Sequence, residues 1–243
     1  MNYDIEVRIL RHPEQSDWER CYDLALRTMG KKWTGKEVTD GWKRKILKCE
    51  HSPIRTLMFT IEMIIPSYVS VHFVRHKIGV EHYVQSQRND RQTNYDRELA
   101  PQNAMVMHTM DINAEQLMFM SRRRLCGMAD PTTRYVMAKI CAAVLATNPE
   151  FEGRLAPMCE YRHECPEFVS CGYWEKIQKR NELQVFEVDP DFGKLVEANG
   201  GYCPCATEQT DDTLCPCKDF REQDTEGECH CGRYKKVLPV VIK

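Results

Sequence analysis

Apolar residues fall at every second position in two places in the first third of the chain. Ile5, Val7 and Ile9 share one face of the segment 3–10, and Phe59, Ile61, Met63 and Ile65 alternate up to Pro66. A period of two marks a half-buried strand, and a proline, which cannot donate to a ladder, marks where such a strand stops. Between these segments the period lengthens. Trp18, Cys21, Tyr22, Ala25 and Met29 recur at helical spacing behind Ser16 and Glu19, which form a capping-box pair. The segment 67–77 follows the second strand directly and is expected to be a short helix. Residues 89–110 are polar, contain Pro101 and show no clear period, which predicts an irregular excursion. Two more helices follow. Asp111 caps the first, which runs through Leu117 and Met120 toward Arg124. Asp130 and Pro131 give the second its cap and first-turn proline, with Val136, Ile140 and Val144 as its stripe. Helical pattern is lost over 156–172, where cysteines appear, and 176–199 reads as a charged connector with weak structure. Gly200 and Gly201 close it, and a cysteine-rich segment begins there.

Composition narrows the classes. A chain of 243 residues with 42% hydrophobic content can bury one sizeable core and a small appendage. A net charge of −2 supplies no global basic field for polymeric nucleic acid or an anionic membrane. The first residues, MNYDIEVRIL, lack the basic start and apolar run of a secretory signal. The longest apolar run, around Met63–Ile65, is far shorter than the roughly 18 residues of a membrane span. The expectation is a soluble, cytoplasmic protein. Thirteen cysteines then need a chemical reason, because a reducing cytosol does not maintain structural disulfides. Six lie between Cys203 and Cys231 and three between Cys159 and Cys171, a clustering that favours metal ligation or redox chemistry.

The sequence HFVRHKIGVEHYVQSQRNDR places His72, Arg75, His76, Lys77, Gln85, Ser86, Gln87, Arg88 and Arg91 within twenty residues. Guanidinium groups grip phosphate by paired hydrogen bonds, and lysine acts as a point charge. Serine and glutamine can read a pyrimidine edge. A solvated charged face is the alternative, but the run follows an apolar strand and is interleaved with aromatic and aliphatic residues. That favours a nucleotide or phosphate site.

These residues resemble the flavin-dependent thymidylate synthases. His51-Ser-Pro-Ile, then the strand, then Arg75-His76-Lys77 and Ser86-Gln87-Arg88 follow the family's order of a His-Ser-Pro-like segment, an Arg-His-Arg triplet and a Ser-x-Arg. Arg124-Leu125-Cys126, Ala129 and Arg134 are similar to a later family helix, and the segment from Pro157 to Gly172 to a C-terminal part of some members. The resemblance implies an α+β fold, an antiparallel sheet with flanking helices, over residues 1–175, in a homotetramer with sites between subunits. It implies transfer of a one-carbon unit from methylenetetrahydrofolate to C5 of dUMP, with FAD as hydride carrier. By position, Arg75, His76 and Lys77 would contact the flavin and nucleotide, and His72, Ser86, Gln87, Arg88 and Arg124 would bind the substrate. Arg124 and Ser86 would act at the reacting ring, Ser86 by positioning rather than nucleophilic attack. Lys77 stands in place of the third arginine, Arg55-Thr56 in place of Glu-His, and His72 in place of a glutamine. A sibling reaction, hydroxymethylation of dUMP, stays open.

The tail, residues 200–243, carries Cys203-Pro-Cys205, Cys215-Pro-Cys217 and Cys229-His-Cys231. Four thiolates satisfy a zinc ion or an iron–sulfur cluster and two remain. The ordered pairs resemble the catalytic subunit of ferredoxin–thioredoxin reductase, although the intervals between pairs differ. That resemblance implies a [4Fe–4S] cluster on Cys203, Cys215, Cys217 and Cys229 with Cys205 and Cys231 as a redox disulfide, served by a ferredoxin-type or thioredoxin-type electron partner. Zinc remains the alternative. Cys159, Cys165 and Cys171, with Cys126, form a further candidate thiolate set. Two readings of another class stay open: a nucleotide-binding protein with a zinc interaction module, and a thiol–disulfide reductase with the larger domain as scaffold.

Overall fold

The alternating start of the chain folds as strand β1 (Glu6–Arg11), and helices α1 (Gln15–Arg27) and α2 (Asp40–Cys49) lead to β2 (Met58–Pro66). In the computed structural model, which describes residues 3–91, 96–189 and 191–238, the chain divides into two compact units that meet between Pro166 and Glu167. The first unit continues with α3 (Ser67–Phe73), β3 (Val80–Val84), β4 (Met105–Asn113), α4 (Ala114–Arg124), α5 (Pro131–Thr147) and the short α6 (Met158–Arg162). Its sheet has the order β1-β2-β4-β3 and every pair is antiparallel.

The inner face of that sheet is set by the period of two. Phe59, Ile61, Met63 and Ile65 of β2 are fully buried, and Met110 and Ile112 of β4 join them in one core with Val69 and Phe73 of α3 and Val136, Ile140 and Val144 of α5. Phe151 anchors the other end of this core, edge-on to Phe59 at 5.4 Å and tilted against Trp18 at 6.3 Å. Tyr68 donates its hydroxyl hydrogen bond to Thr132 across 2.9 Å, tying α3 to α5. Among the described residues no helix is long and apolar enough to cross a membrane.

In the first unit, four expectations are corrected. Met105–Asn113 is not irregular but a central strand, paired with β2 along its whole length and with β3 on its other edge; residues 92–95 of the same stretch lie outside the described residues. Apolar side chains at Met105 and Met107 on the outer face and a histidine at 108 on the inner one hid the alternation of Val106, Met110 and Ile112. Asp111 therefore does not cap α4. It accepts from Thr60 at 2.6 Å within the sheet, and Asn113 caps instead, accepting from the Gln116 amide at 2.9 Å. At α1 the reciprocal cap is closed by Asp17, which accepts from the Glu14 backbone at 3.0 Å, two residues ahead of the expected pair. Helix α3 stops at Phe73, because the chain must reverse into β3. Gly79 makes that reversal at φ +71, and a Cβ there would collide with the Asn113 side-chain amide.

The second unit holds α7 (Tyr173–Glu182), β5 (Gln184–Glu187), α8 (Phe192–Ala198), α9 (Lys218–Glu222), β6 (Gly227–Glu228) and β7 (Tyr234–Val237). The stretch 176–199, expected as a weakly structured connector, thus carries regular elements. Its β5 is an edge of the tail's sheet, ordered β5-β7-β6 and antiparallel. Long-range pairing with residues some fifty positions away leaves no local sign in β5 itself. The buried apolar set here is small: Leu183, Val196, Cys203 and Phe220 among the described residues. The Lys236 amine is buried as well, donating to the carbonyls of Arg221 and Gln223 at 2.9 and 2.8 Å beneath the Phe220 ring.

Phe151→Ala should remove about 3–5 kcal/mol from the first unit, the range for emptying a fully buried aromatic site, as read from the midpoint and slope of urea unfolding. A loss below about 1 kcal/mol would mean that Phe151 does not hold this core together.

Candidate functional site

Helix α3, its C-terminal turn and β3 carry most of the basic segment and sort it by burial. His72 lies half-buried on α3, Arg75 and Lys77 are exposed on the turn, and His76 between them is buried at 7% exposure. Beyond β3 the pairing is extended by Gln85, whose backbone N–H donates to the Met107 carbonyl at 2.8 Å while its side-chain oxygen accepts from the Met107 N–H at 3.0 Å. Gln85 so holds the start of the next segment. Ser86, Gln87 and Arg88 then border a cleft of about 340 Å³ that is also lined by Ser67, Ser70 and Val74. A neighbouring hollow of about 310 Å³ takes in Gln85, Ser86, Arg88 and Arg91. His72 lines neither. Arg88 is forked onto Asp90 through two 2.8 Å hydrogen bonds, both side chains exposed.

The second group of expected residues gathers around His76. Arg124, at the end of α4, donates from Nε to His76 Nε2 at 3.1 Å. A guanidinium can only donate, so the ring proton of neutral His76 sits on Nδ1. Gln116, 3.1 Å from Nδ1, must then turn its amide oxygen toward the ring, since the two amide ends are interchangeable by shape. Burial first, then the charges of Arg124, His82 and Arg123, hold His76 down at about 4. Burial, followed by the repulsion of Arg75 and Arg123, also holds Arg124 below the usual guanidinium value. Among the described residues no carboxylate pairs with Arg75 or Arg124. The neighbouring Arg122 has a structural role: it is buried, ion-paired with Glu50 and stacked over the Tyr161 ring at 3.5 Å.

A chain of hydrogen bonds connects the two groups. Ser70 Oγ lies 3.1 Å from His108 Nδ1, His108 Nε2 lies 2.9 Å from His82 Nδ1, and His82 Nε2 lies 2.9 Å from the His76 carbonyl oxygen. His108 is fully buried on the inner face of β4, edge-on to Phe73. His82 and His108 escaped the sequence reading. The available signal was two histidines in period-two registers, at the second position of Val80-x-His82-x-Val84 and of Val106-x-His108-x-Met110.

In the tail, the thiols of Cys203, Cys205 and Cys231 lie within 4.8 Å of one another, Cys203 and Cys231 at 2.7 Å. Burial and the two neighbouring thiols push the Cys231 thiol up. Cys215 feels the charges of both Cys203 and Cys229 and receives a 3.6 Å contact from the Arg233 guanidinium. Cys229 accepts from the Tyr234 N–H at 3.2 Å. Cys217 stands at the first position before α9, without a side-chain bond to the helix, and does not belong to the close group. Of the other candidate thiolates, Cys126 and Cys159 are near enough for their charges to interact, whereas Cys165 and Cys171 fall in different units.

Burial also pushes His108 down to about 4, with His82 as the second cause, against an ordinary histidine value of about 6.5. Its folded value is lowered, so the unfolded chain binds a proton that the folded chain refuses. Stability is intact above about pH 6.5 and falls as pH drops toward about 4, by up to roughly 3 kcal/mol for this ring. His108→Gln keeps a hydrogen-bonding side chain but no titrating ring. Urea midpoints at pH 7 and pH 5 should therefore separate less in the variant than in the wild type, and equal separations would remove His108 as a source of acid lability.

No family model matches the chain, and no curated protein matches it in sequence. Among solved structures the chain is similar to the UMP/dUMP methylase PolB from Streptomyces cacaoi bound with 5-Br dUMP, at 13% identity and a TM-score of 0.49, over 63% of this chain and 98% of that one. The same methylase bound with 5-Br UMP gives 16% identity and a TM-score of 0.46, over 64% and 98% of the two chains.

Proposed function

We infer that the first unit binds a uridine 5′-monophosphate and transfers a one-carbon unit from methylenetetrahydrofolate to C5 of its pyrimidine. This is the thymidylate-synthase type of reaction, with hydroxymethylation as its close variant. The observation that carries the reading is the set of cations around His76. Arg75 and Arg124 repel one another, and among the described residues no carboxylate pairs with either; a bound phosphate would relieve that repulsion through charge-assisted hydrogen bonds. Soon after Arg75 in sequence, Ser86, Gln87 and Arg88 border a cleft of about 340 Å³, within the range for a small-molecule site. Ser86 and Gln87 offer the neutral donors and acceptors that a pyrimidine edge requires. Arg88 can turn from the exposed Asp90 to a phosphate at little cost, since exposed ion pairs are weak.

The same donor set fits FAD, whose diphosphate calls for the kind of unneutralised cation that Arg75, Lys77 and the His76 turn present. When bound there, the flavin supplies the hydride chemistry. The chain's own part is to hold phosphate with Arg75, Arg88 and Arg124, orient the ring with Ser86 and Gln87, and place fixed donors where charge develops on it. The homotetramer implied by the family resemblance belongs to this proposal.

For the tail we adopt a thiolate-bound metal centre with a redox role. Supporting a redox role is the convergence of Cys203 with Cys205 and Cys231 within 4.8 Å, which would set one cluster ligand beside the dithiol pair; supporting a metal staple is the small apolar core among the described residues of the second unit. The [4Fe–4S] assignment places ligands at Cys203, Cys215, Cys217 and Cys229, leaving Cys205 and Cys231 to exchange electrons as a dithiol.

Arg124→Ala and Arg88→Ala should each weaken deoxyuridylate binding by about 1.5–3 kcal/mol, the worth of a hydrogen bond to a charged group, without loss of fold. Calorimetric titration decides, and unchanged affinity in both variants would sink the phosphate site. In the tail, serine at 203, 215, 217 or 229 should abolish iron incorporation, whereas Cys205→Ser and Cys231→Ser should keep iron and lose a two-electron thiol couple. Metal analysis after anaerobic reconstitution reads both classes. Metal lost from Cys205→Ser and Cys231→Ser but kept in Cys217→Ser would move the ligand set to the close triplet, and stoichiometric zinc without iron would make the tail structural.

A further inference from the structure

The bonds from Ser70 to His76 have a fixed direction. Their last acceptor, the His76 carbonyl oxygen, has no proton to give, so His82 must carry a proton on Nε2. His82 Nδ1 of the neutral ring is then an acceptor, and the proton it receives comes from His108 Nε2. His108 Nδ1 is left as an acceptor, and the Ser70 hydroxyl must donate to it. One carbonyl therefore determines two histidine tautomers and the orientation of a hydroxyl 38 residues away from His108 in sequence. The consequence reaches the cleft, because Ser70 is part of its wall. With its proton committed to His108, Ser70 Oγ presents only lone pairs to whatever occupies the cleft.

We propose that Ser70 is the catalytic group that removes the C5 proton of the pyrimidine, with His108 and His82 as positioning residues that carry the charge away. The inference rests on the C5 chemistry proposed above. In the step, the C5–H bond breaks and its electron pair returns to the ring as the substituted pyrimidine regains its double bond. The proton goes to Ser70 Oγ, the Ser70 proton passes to His108 Nδ1, and the His108 Nε2 proton passes to His82 Nδ1. His82 becomes the imidazolium, still donating from Nε2 to the His76 carbonyl. It is only half-buried, so the charge rests where water can reach it rather than on the fully buried His108; once the product forms, the protons return along the same bonds, both rings regain their Nε2–H tautomers, and Ser70 gives the C5-derived proton to water in the cleft. No oxidant enters the transfer.

The test combines a ligand-free signature with a rate, both on the full chain. Nitrogen-15 spectra of histidine-labelled protein at pH 7 should show His82 and His108 both protonated on Nε2, and Ser70→Ala should shift the His108 Nδ1 signal alone. A proton on His108 Nδ1 would overturn the relay. With reduced flavin and methylenetetrahydrofolate supplied, release of tritium from C5 of deoxyuridylate should fall about 100-fold or more in Ser70→Ala. Its calorimetric Kd for the nucleotide should stay within about 3-fold, and Ser70→Thr should restore part of the rate. His82→Gln should lower kcat without changing KM, although it lies outside the cleft wall. Normal release in Ser70→Ala overturns the role of Ser70 and leaves the proposed function standing. Wild-type protein that does not bind deoxyuridylate, or binds it without releasing tritium, overturns the proposed function and Ser70 with it.

Discussion

A neutral imidazole at the centre of an apolar sheet face must be hydrogen-bonded, because an unpaired buried polar group costs about 1–3 kcal/mol. His108 meets that demand with partners on two other elements, Ser70 on α3 and His82 on β3. His82 in turn holds the carbonyl of His76 on the turn between them. The demand therefore fixes how helix, turn and edge strand sit on the sheet. A helix displaced by one residue would carry Ser70 away from the ring, and a strand slipped by one position would send His82 to the opposite face. Everything proposed for the first unit hangs from that fixed frame. Gln85 leaves β3 in register with Met107, Ser86 to Arg88 follow it along the cleft, and Arg75 and Lys77 stand on either side of His76.

Charge is distributed with similar economy. Arg122, Arg123 and Arg124 are consecutive on one helix, and the 100° step between them gives each a separate destination. Arg122 is buried against Glu50 and Tyr161 as part of the scaffold. Arg124 faces His76, whose burial keeps it neutral and so able to accept from the guanidinium. Among the described residues no carboxylate pairs with Arg124 or with Arg75, which repels it, and an anion is the simplest relief. Arg88 differs: its carboxylate partner is exposed and two residues away, a contact that a phosphate can displace.

The second unit is held by other means. Among the described residues its buried apolar side chains are few, one of its buried groups is a lysine amine satisfied by two carbonyls, and three of its thiols lie close together. Gathered and partly buried thiols resist ionising, as Cys231 does, and a bound metal would let them lose their protons while tying the unit together.

Wherever burial follows a short period, the sequence by itself determined the element. The alternation before Pro66 became β2, and the Asp130-Pro131 start with its Val136, Ile140 and Val144 stripe became α5, since one face of each is apolar throughout. The same holds for the candidate chemistry: arginines, serines and paired cysteines are recognisable because few other residue types bind phosphate or soft metals. Only the tertiary structure decided β4, whose pattern is broken by a buried histidine, and β5, whose partner lies some fifty residues downstream. It also decided that Ser70, His82 and His108 belong together. No local pattern records that contact, because it is made by a helix and two strands, and the reason for a histidine at 108 appears only when Ser70 and His82 are in place around it.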